Sequence, residues 1–147
     1  MTISNLLHLF ASMVWLGGMA FAHFALRPAA IATLAPPQRL SLMSGTLRRF
    51  FWLVTGAVIV LLLTGVHLIV AEGGFAAARL GVNIMFGGGL MMMAIFAFIA
   101  TSYDRKMRRL VAQAQWPAAA AQLEKTRRLV SFNLVLGVLI VCAVKLV

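Results

Sequence analysis

Acidic residues and cysteine are scarce in this chain of 147 residues, and both shortages limit what it can do. Only three residues are Asp or Glu, and charged residues of both signs make up 11%, whereas a soluble domain carries about 25%. The single cysteine, Cys142, cannot form an intrachain disulfide. The chain has no paired carboxylates for acid–base work, no phosphate-binding glycine loop and no nucleophile elbow, which argues against a hydrolase or an ATPase. Enzymatic activity stays open only as redox chemistry on a bound cofactor.

Hydrophobic residues take the place of the missing charge. They make up 63% of the chain, and the mean hydropathy is +0.99. Four apolar runs, at residues 3–26, 50–71, 80–102 and 129–147, reach the length of about 20 residues that a helix needs to cross a bilayer. Lipid cannot satisfy backbone polar groups, so each run must be helical. The sequence therefore predicts an all-α, integral membrane four-helix bundle, with residues 1–147 forming one transmembrane domain in a lipid bilayer.

Prolines mark the connections between the spans. The pair Pro36-Pro37 predicts that residues 38–49 form a helical lead-in to the second span, because proline is favoured in the first turn of a helix. Trp116-Pro117 likewise predicts a helix over residues 118–128 that leads into the fourth span. Arg27-Pro28 is expected to end the first helix, since proline lacks the amide that a helix interior requires.

The net charge of +10 is distributed unevenly along the chain. Of the 13 Lys and Arg residues, 11 lie between the first and second spans or between the third and fourth, and only Arg79 and Lys145 lie elsewhere. Cytoplasmic loops carry this excess, so we predict both termini outside the cytoplasm (N-out/C-out). The same placement argues against nucleic-acid binding, because no soluble basic domain is present to carry it.

Four side chains that can bind metal are predicted to lie at one depth. His8, His67, Met85 and Cys142 are each about five residues from the predicted outer end of a span, or roughly 7 Å at the rise of a helix. Ionisable groups inside a membrane are costly and usually functional. Two histidines suit a metal or a bis-histidine haem, and sulfur ligands favour copper(I). The structural alternative is that each histidine hydrogen-bonds a neighbouring helix and that Met85 and Cys142 only pack.

Several neighbours could frame such a site. Trp15 follows His8 by two turns, and Gly17 and Gly18 beside it would admit a close partner or a flat cofactor. Residues 91–93 are three consecutive methionines, of which at most two can face one site. His23 is interpreted as interfacial or as a ligand of a second, inner site. The glycines at 87–89 permit close helix packing, including a homodimer.

The residues resemble a known family at three places. The stretches HLFASMVWLGGMAF at residues 8–21, RRFFWLVTGAVIVLLLTG at 48–65 and RRLVSFNLVLGVL at 127–139 are similar to CopD-like proteins, the copper resistance D family. The resemblance implies copper handling in the bacterial inner (cytoplasmic) membrane by a multi-pass protein, beside a periplasmic copper-binding partner. It implicates His8, with Trp15, Gly17 and Gly18 framing it. The larger members carry further helices, and a periplasmic loop rich in His or Met is absent from this chain.

A second resemblance covers one segment. Residues 15–28 are similar to the first helix of HemJ-type membrane proteins, which are tied to haem b and protoporphyrinogen oxidation. That resemblance implies a b-type haem protein with His8 and His67 as axial ligands. Three functions therefore stay open: copper binding or movement, a haem-based electron carrier or oxidase, and a structural or assembly subunit without a cofactor.

Overall fold

Four long helices make up the computed structural model, which describes residues 2–146 and in that range contains no strand. They are α1 (Ile3–Thr33), α2 (Pro36–Ala71), α3 (Leu80–Ala112) and α4 (Trp116–Leu146), and each is long and apolar enough to cross a membrane. The predicted all-α fold with four membrane-spanning helices is confirmed. Val147, the last residue of the predicted fourth span, lies outside the described residues.

The helices continue well past the lipid-spanning runs at one end of the bundle. Residues 38–49 form the first part of α2 and residues 118–128 the first part of α4, as predicted. The connections at this end are only residues 34–35 and 113–115. At the other end, residues 72–79 join α2 to α3 through Gly73 and Gly74, whose φ angles of +91° and +92° favour glycine. We call the first the basic end and the second, where α1 begins and α4 ends, the termini end.

The predicted end of the first helix at Arg27-Pro28 is wrong. The helix continues to Thr33 because residues Ala22–Leu26 form a π-helical turn, in which the Arg27 amide donates to the carbonyl of Ala22. A π turn shifts the hydrogen-bond register by one residue. The missing amide of Pro28 therefore falls where the register changes, and the chain passes the proline without stopping. A second π turn, Ile99–Tyr103, lies in α3, which continues to Ala112 rather than ending near residue 102.

Large apolar side chains cover the outside of the bundle. Trp52 is 74% exposed and Leu63 68% exposed, whereas Val54 on the same helix is fully buried. An apolar exterior of this extent suits lipid rather than water. The buried side of the bundle is a cluster of apolar residues from all four helices, including Trp15, Phe51, Phe96 and Leu134.

The helices associate as two pairs. Helices α1 and α2 pack closely, as do α3 and α4, whereas fewer contacts join one pair to the other. Glycines allow the close approach within each pair: the ring of Phe50 packs against Gly18, and Ile140 packs against Gly88. At the basic end the two pairs close on each other through a second cluster that contains Leu40, Met107 and Ala119. Toward the termini end the pairs leave a cavity between them.

Replacement of Gly88 by leucine should weaken the α3–α4 contact. A Cβ at Gly88 would lie 2.5 Å from Ile140 Cδ1, whereas a Cβ at Gly87 would meet nothing within 4 Å. Overpacking typically costs about 1–3 kcal/mol. We expect Gly88→Leu to lower the thermal unfolding temperature in detergent relative to Gly87→Leu. Both variants gain the same helix propensity, so equal unfolding temperatures would contradict this packing.

Candidate metal site

The side chain of His8 is held by a hydroxyl on the neighbouring helix. His8 Nδ1 lies 2.8 Å from Thr64 Oγ1, and Thr64 Oγ1 itself donates to the Val60 carbonyl at 2.6 Å. Because the hydroxyl proton is used in that second bond, Thr64 accepts a hydrogen bond from the Nδ1–H of His8. The Nε2 atom of the neutral ring is then unprotonated, and no described residue hydrogen-bonds to it. This is the tautomer and orientation that a metal-binding histidine requires.

His8 lines the cavity that separates the two helix pairs. The cavity has a volume of about 490 Å³, and all four helices contribute to its walls. Its polar lining comes from Asn5, His8, Ser12 and Lys145. No Asp or Glu is among the lining residues. A hard cation such as Mg²⁺ or Ca²⁺ prefers carboxylate oxygen and would find none in this cavity.

Three methionines line the same cavity. They are Met85, Met92 and Met93, all from α3. Met91, between them in the sequence, is 54% exposed on the outside of the bundle, in keeping with the expectation that three consecutive residues cannot all face one site. Gly137 on α4 makes room for Met92, because a Cβ there would lie 2.9 Å from Met92 Cε. Imidazole and thioether are thus the donors that the cavity offers.

His67 and Cys142 do not line this cavity. Both are exposed. The structure places Thr64 beside His8, so His67 lies about one turn nearer the termini end of α2. Two contacts, Gly81 with Val144 and Gly88 with Ile140, bracket Met85 and Cys142 at a common depth on different faces. The structure therefore brings together His8 and Met85 of the four predicted donors, and a bis-histidine haem would need His67 in the cavity as well.

Of the residues predicted to frame His8, only some border the cavity. Trp15 is buried at 3% exposure and lines the cavity. Gly17 is exposed, and Gly18 is occupied by the ring of Phe50, so neither borders the cavity. Of the three consecutive glycines in α3, Gly89 lines the cavity and Gly88 packs within the chain.

His23 lies on α1 near the basic end. Its Nδ1 is 3.1 Å from Ser131 Oγ on α4. It lines a much smaller cavity of about 40 Å³ together with Met43, Thr126 and two arginines, Arg27 and Arg127. Glu124 forms ion pairs with both arginines. The alternative that His23 is a ligand of a second, inner site stays a prediction.

Asn133 on α4 is a buried amide that contacts a neighbouring helix. It is 1% exposed in the centre of the bundle, and its Nδ2 donates to the Met92 carbonyl at 3.4 Å. Its Oδ1 has no hydrogen-bond partner among the described residues. A buried carbonyl without a partner costs about 1–3 kcal/mol. A lone amide within an apolar span commonly hydrogen-bonds a neighbouring helix, as Asn133 does with Met92 on α3.

The arrangement suits a soft monovalent ion better than a hard or divalent one. Within residues 2–146 no three His, Cys, Asp or Glu side chains cluster closely enough to hold a metal ion, so a hard or borderline metal has no site of its usual kind. Neutral imidazole and thioether donors select Cu(I). The fold defines a small polytopic helical membrane protein with a cavity between its two helix pairs.

Comparison with known proteins gives the family. The sequence model described as CopD: Copper resistance protein D matches residues 44–147. The match covers well over half of the chain, so this protein belongs to the copper resistance protein D family. The matched region begins at Ser44 in α2 and continues through α4. Helix α1, which carries His8 and Trp15, precedes the matched region. No curated protein and no solved structure matches the chain.

Loss of the Thr64 hydroxyl should release the His8 ring. We expect Thr64→Val to remove the preference for the tautomer protonated at Nδ1, because valine cannot accept the hydrogen bond. Nitrogen-15 NMR of the histidine rings would measure the change. Thr55→Val is the matched control, since Thr55 also bonds its own helix at the Phe51 carbonyl but contacts no histidine. An unchanged His8 tautomer in Thr64→Val would contradict this assignment.

Proposed function

We propose that this copper-resistance membrane protein binds Cu(I) in the cavity between its helix pairs. The ligands are His8, through Nε2, and the thioether sulfur of Met85, whereas Met92 and Met93 line the cavity about two turns deeper. The observation that carries the proposal is the hydrogen bond from His8 Nδ1 to Thr64, which leaves the metal-binding nitrogen of a cavity-lining histidine without a protein partner. Membership of the family supports copper as the ion.

The choice of oxidation state follows from the donors. Thioether sulfur is a soft ligand that favours Cu(I), whereas Mg²⁺ and Ca²⁺ favour oxygen and structural Zn²⁺ favours thiolate, imidazole and carboxylate. The cavity walls hold three thioethers and no acidic side chain. A monovalent ion is also easier to bury than a divalent one, because desolvation of charge in an apolar medium is costly.

Membrane orientation connects the cavity to a source of copper. We place the termini end on the periplasmic side of a bacterial inner membrane, because 11 of the 13 Lys and Arg residues lie toward the basic end. His8 is five residues from the start of α1 at the termini end. A periplasmic copper-binding protein could therefore deliver the ion to the cavity without entry into the apolar core.

Movement of the ion beyond the cavity would pass Asn133. The buried residues of α4 include Gly137, which borders the large cavity through Met92, then Asn133, then Thr126, which borders the small cavity beside His23. These residues lie on one stripe of the helix, at spacings of four and seven. The unpartnered Oδ1 of Asn133 is thus the polar atom between the two cavities. Its desolvation cost is offset when a passing ion or water binds it.

Copper binding can be tested directly on the detergent-purified protein. Cu(I) held reduced by ascorbate is titrated against the chelator bathocuproine disulfonate, and a visible spectrum of the same sample reports any haem. We expect wild-type protein to bind Cu(I) and His8→Ala to lose about a hundredfold in affinity or more, since loss of a ligand exceeds the 10–100-fold cost of losing an outer-shell partner. A Soret band with no copper would instead establish the haem alternative. Colourless wild-type protein that binds no copper would support the cofactor-free alternative.

Matched variants separate the cavity from the rest of the helix surface. Met85→Leu should weaken Cu(I) binding, whereas Met91→Leu on the lipid face should not, and both substitutions conserve volume. His67→Ala should bind as wild type does. Loss of binding in His67→Ala would show that the two histidines share a ligand role as their depth suggested, and the cavity assignment would then be wrong.

Asn133→Leu separates binding from movement. We expect this variant to bind Cu(I) like wild type but to carry it into liposomes about tenfold more slowly, because an apolar side chain offers nothing to an ion between the cavities. Entry is measured as the colour of bathocuproine disulfonate trapped inside the vesicles. Thr101→Val, which removes an exposed hydroxyl bonded to its own helix, is the control. Transport by Asn133→Leu at the wild-type rate would rule out this route.

A further inference from the structure

A groove between α1 and α2 lies near the basic end, apart from the candidate copper cavity. It has a volume of about 340 Å³, and its walls include Phe21 and Leu26 from α1 and Phe50 and Leu53 from α2. Phe21 is 62% exposed and Leu53 64% exposed, so the groove opens to the outside of the bundle, where lipid lies. Its only polar lining residues are Thr46 and Arg49.

Within residues 2–146, Arg49 forms no ion pair with a carboxylate. The protein has three acidic residues. Asp104 pairs with Arg108, and Glu124 with Arg27, Arg127 and Arg128. Glu72 lies at the termini end, on the other side of the apolar span. The charge of Arg49, at the mouth of an apolar groove, must therefore be balanced from outside the protein.

We infer that this groove binds an anionic phospholipid. One acyl chain would lie along the apolar walls, and the headgroup phosphate would accept hydrogen bonds from the Arg49 guanidinium and the Thr46 hydroxyl. Basic positions between transmembrane helices at the cytoplasmic side are suited to anionic headgroups, and guanidinium matches phosphate with two parallel hydrogen bonds. A zwitterionic headgroup would bring its own cation next to Arg49, so a net negative headgroup is favoured. The inference does not depend on copper binding.

The floor of the groove is shaped by one small residue. The ring of Phe50 packs against Gly18, and any side chain at position 18 would push that ring outward. Gly18 thus keeps open the space that the acyl chain fills. This accounts for a glycine that was predicted to frame a cofactor but does not border the copper cavity.

The test is lipid retention by the full-length protein. Protein reconstituted in vesicles of phosphatidylethanolamine and phosphatidylglycerol is extracted in mild detergent, and native mass spectrometry measures the lipid that stays bound. We expect preferential retention of phosphatidylglycerol by wild type and a loss of about fivefold in Arg49→Gln. Arg48→Gln is the matched control, since Arg48 is exposed but does not line the groove, and it should retain the lipid as wild type does.

Three results would overturn the inference. These are undiminished retention by Arg49→Gln, an equal loss in Arg48→Gln, which would indicate a diffuse basic surface, and equal retention of phosphatidylethanolamine by wild type. A second variant tests the groove independently of charge. Leu53→Trp fills part of the space for the acyl chain and leaves Thr46 and Arg49 intact, so it should also lose phosphatidylglycerol, and retention at the wild-type level would contradict an acyl chain in the groove.

Discussion

A bilayer supplies no hydrogen bonds, and this constraint organises the whole molecule. Every backbone amide in the lipid must find a carbonyl in its own helix, and the hydroxyls follow the same rule: Thr55, Thr64 and Thr126 each donate to a carbonyl one turn earlier. Against that background the Oδ1 atoms of Asn83 and Asn133 are buried without a hydrogen-bond partner among the described residues, and Nε2 of His8, at the cavity wall, has none either. Such atoms are costly in lipid, and two of them, on His8 and Asn133, are the basis of the proposed copper function.

Number and depth could be predicted from the sequence, because both follow from counting apolar residues at a constant rise per residue. The four helices are present, and the pair of contacts around Met85 and Cys142 agrees with their predicted common depth. Facing direction could not be predicted, since it depends on how helices rotate against partners that the sequence does not identify. Thr64 is buried, whereas His67, three residues later and about 60° away around the helix, is exposed. Of the four predicted donors, His8 and Met85 line the cavity and His67 and Cys142 do not, and the role of all four as ligands stays a prediction.

Hydropathy could not predict where the helices end outside the membrane-spanning segments. Hydropathy indicates where a helix must cross the bilayer but not where the helix ends. At the basic end all four helices continue through segments that are polar or contain proline. Pro28 illustrates the reason. A rule that proline ends a helix assumes an unbroken α-helical register, and the π turn at Ala22–Leu26 removes that assumption. Nothing in the local composition of AHFAL distinguishes such a turn from ordinary helix.

The brevity of the two connections at the basic end has a consequence for recognition. Only residues 34–35 and 113–115 are non-helical there, so the basic side chains project from stiff rods and not from flexible loops. A partner that binds a flexible basic loop must first give up the free energy needed to order it. In this protein the helices that carry the basic side chains are already ordered by folding. The charged end of this protein acts as a preformed template, whose spacing of cations is determined by helix geometry and is the same before and after contact.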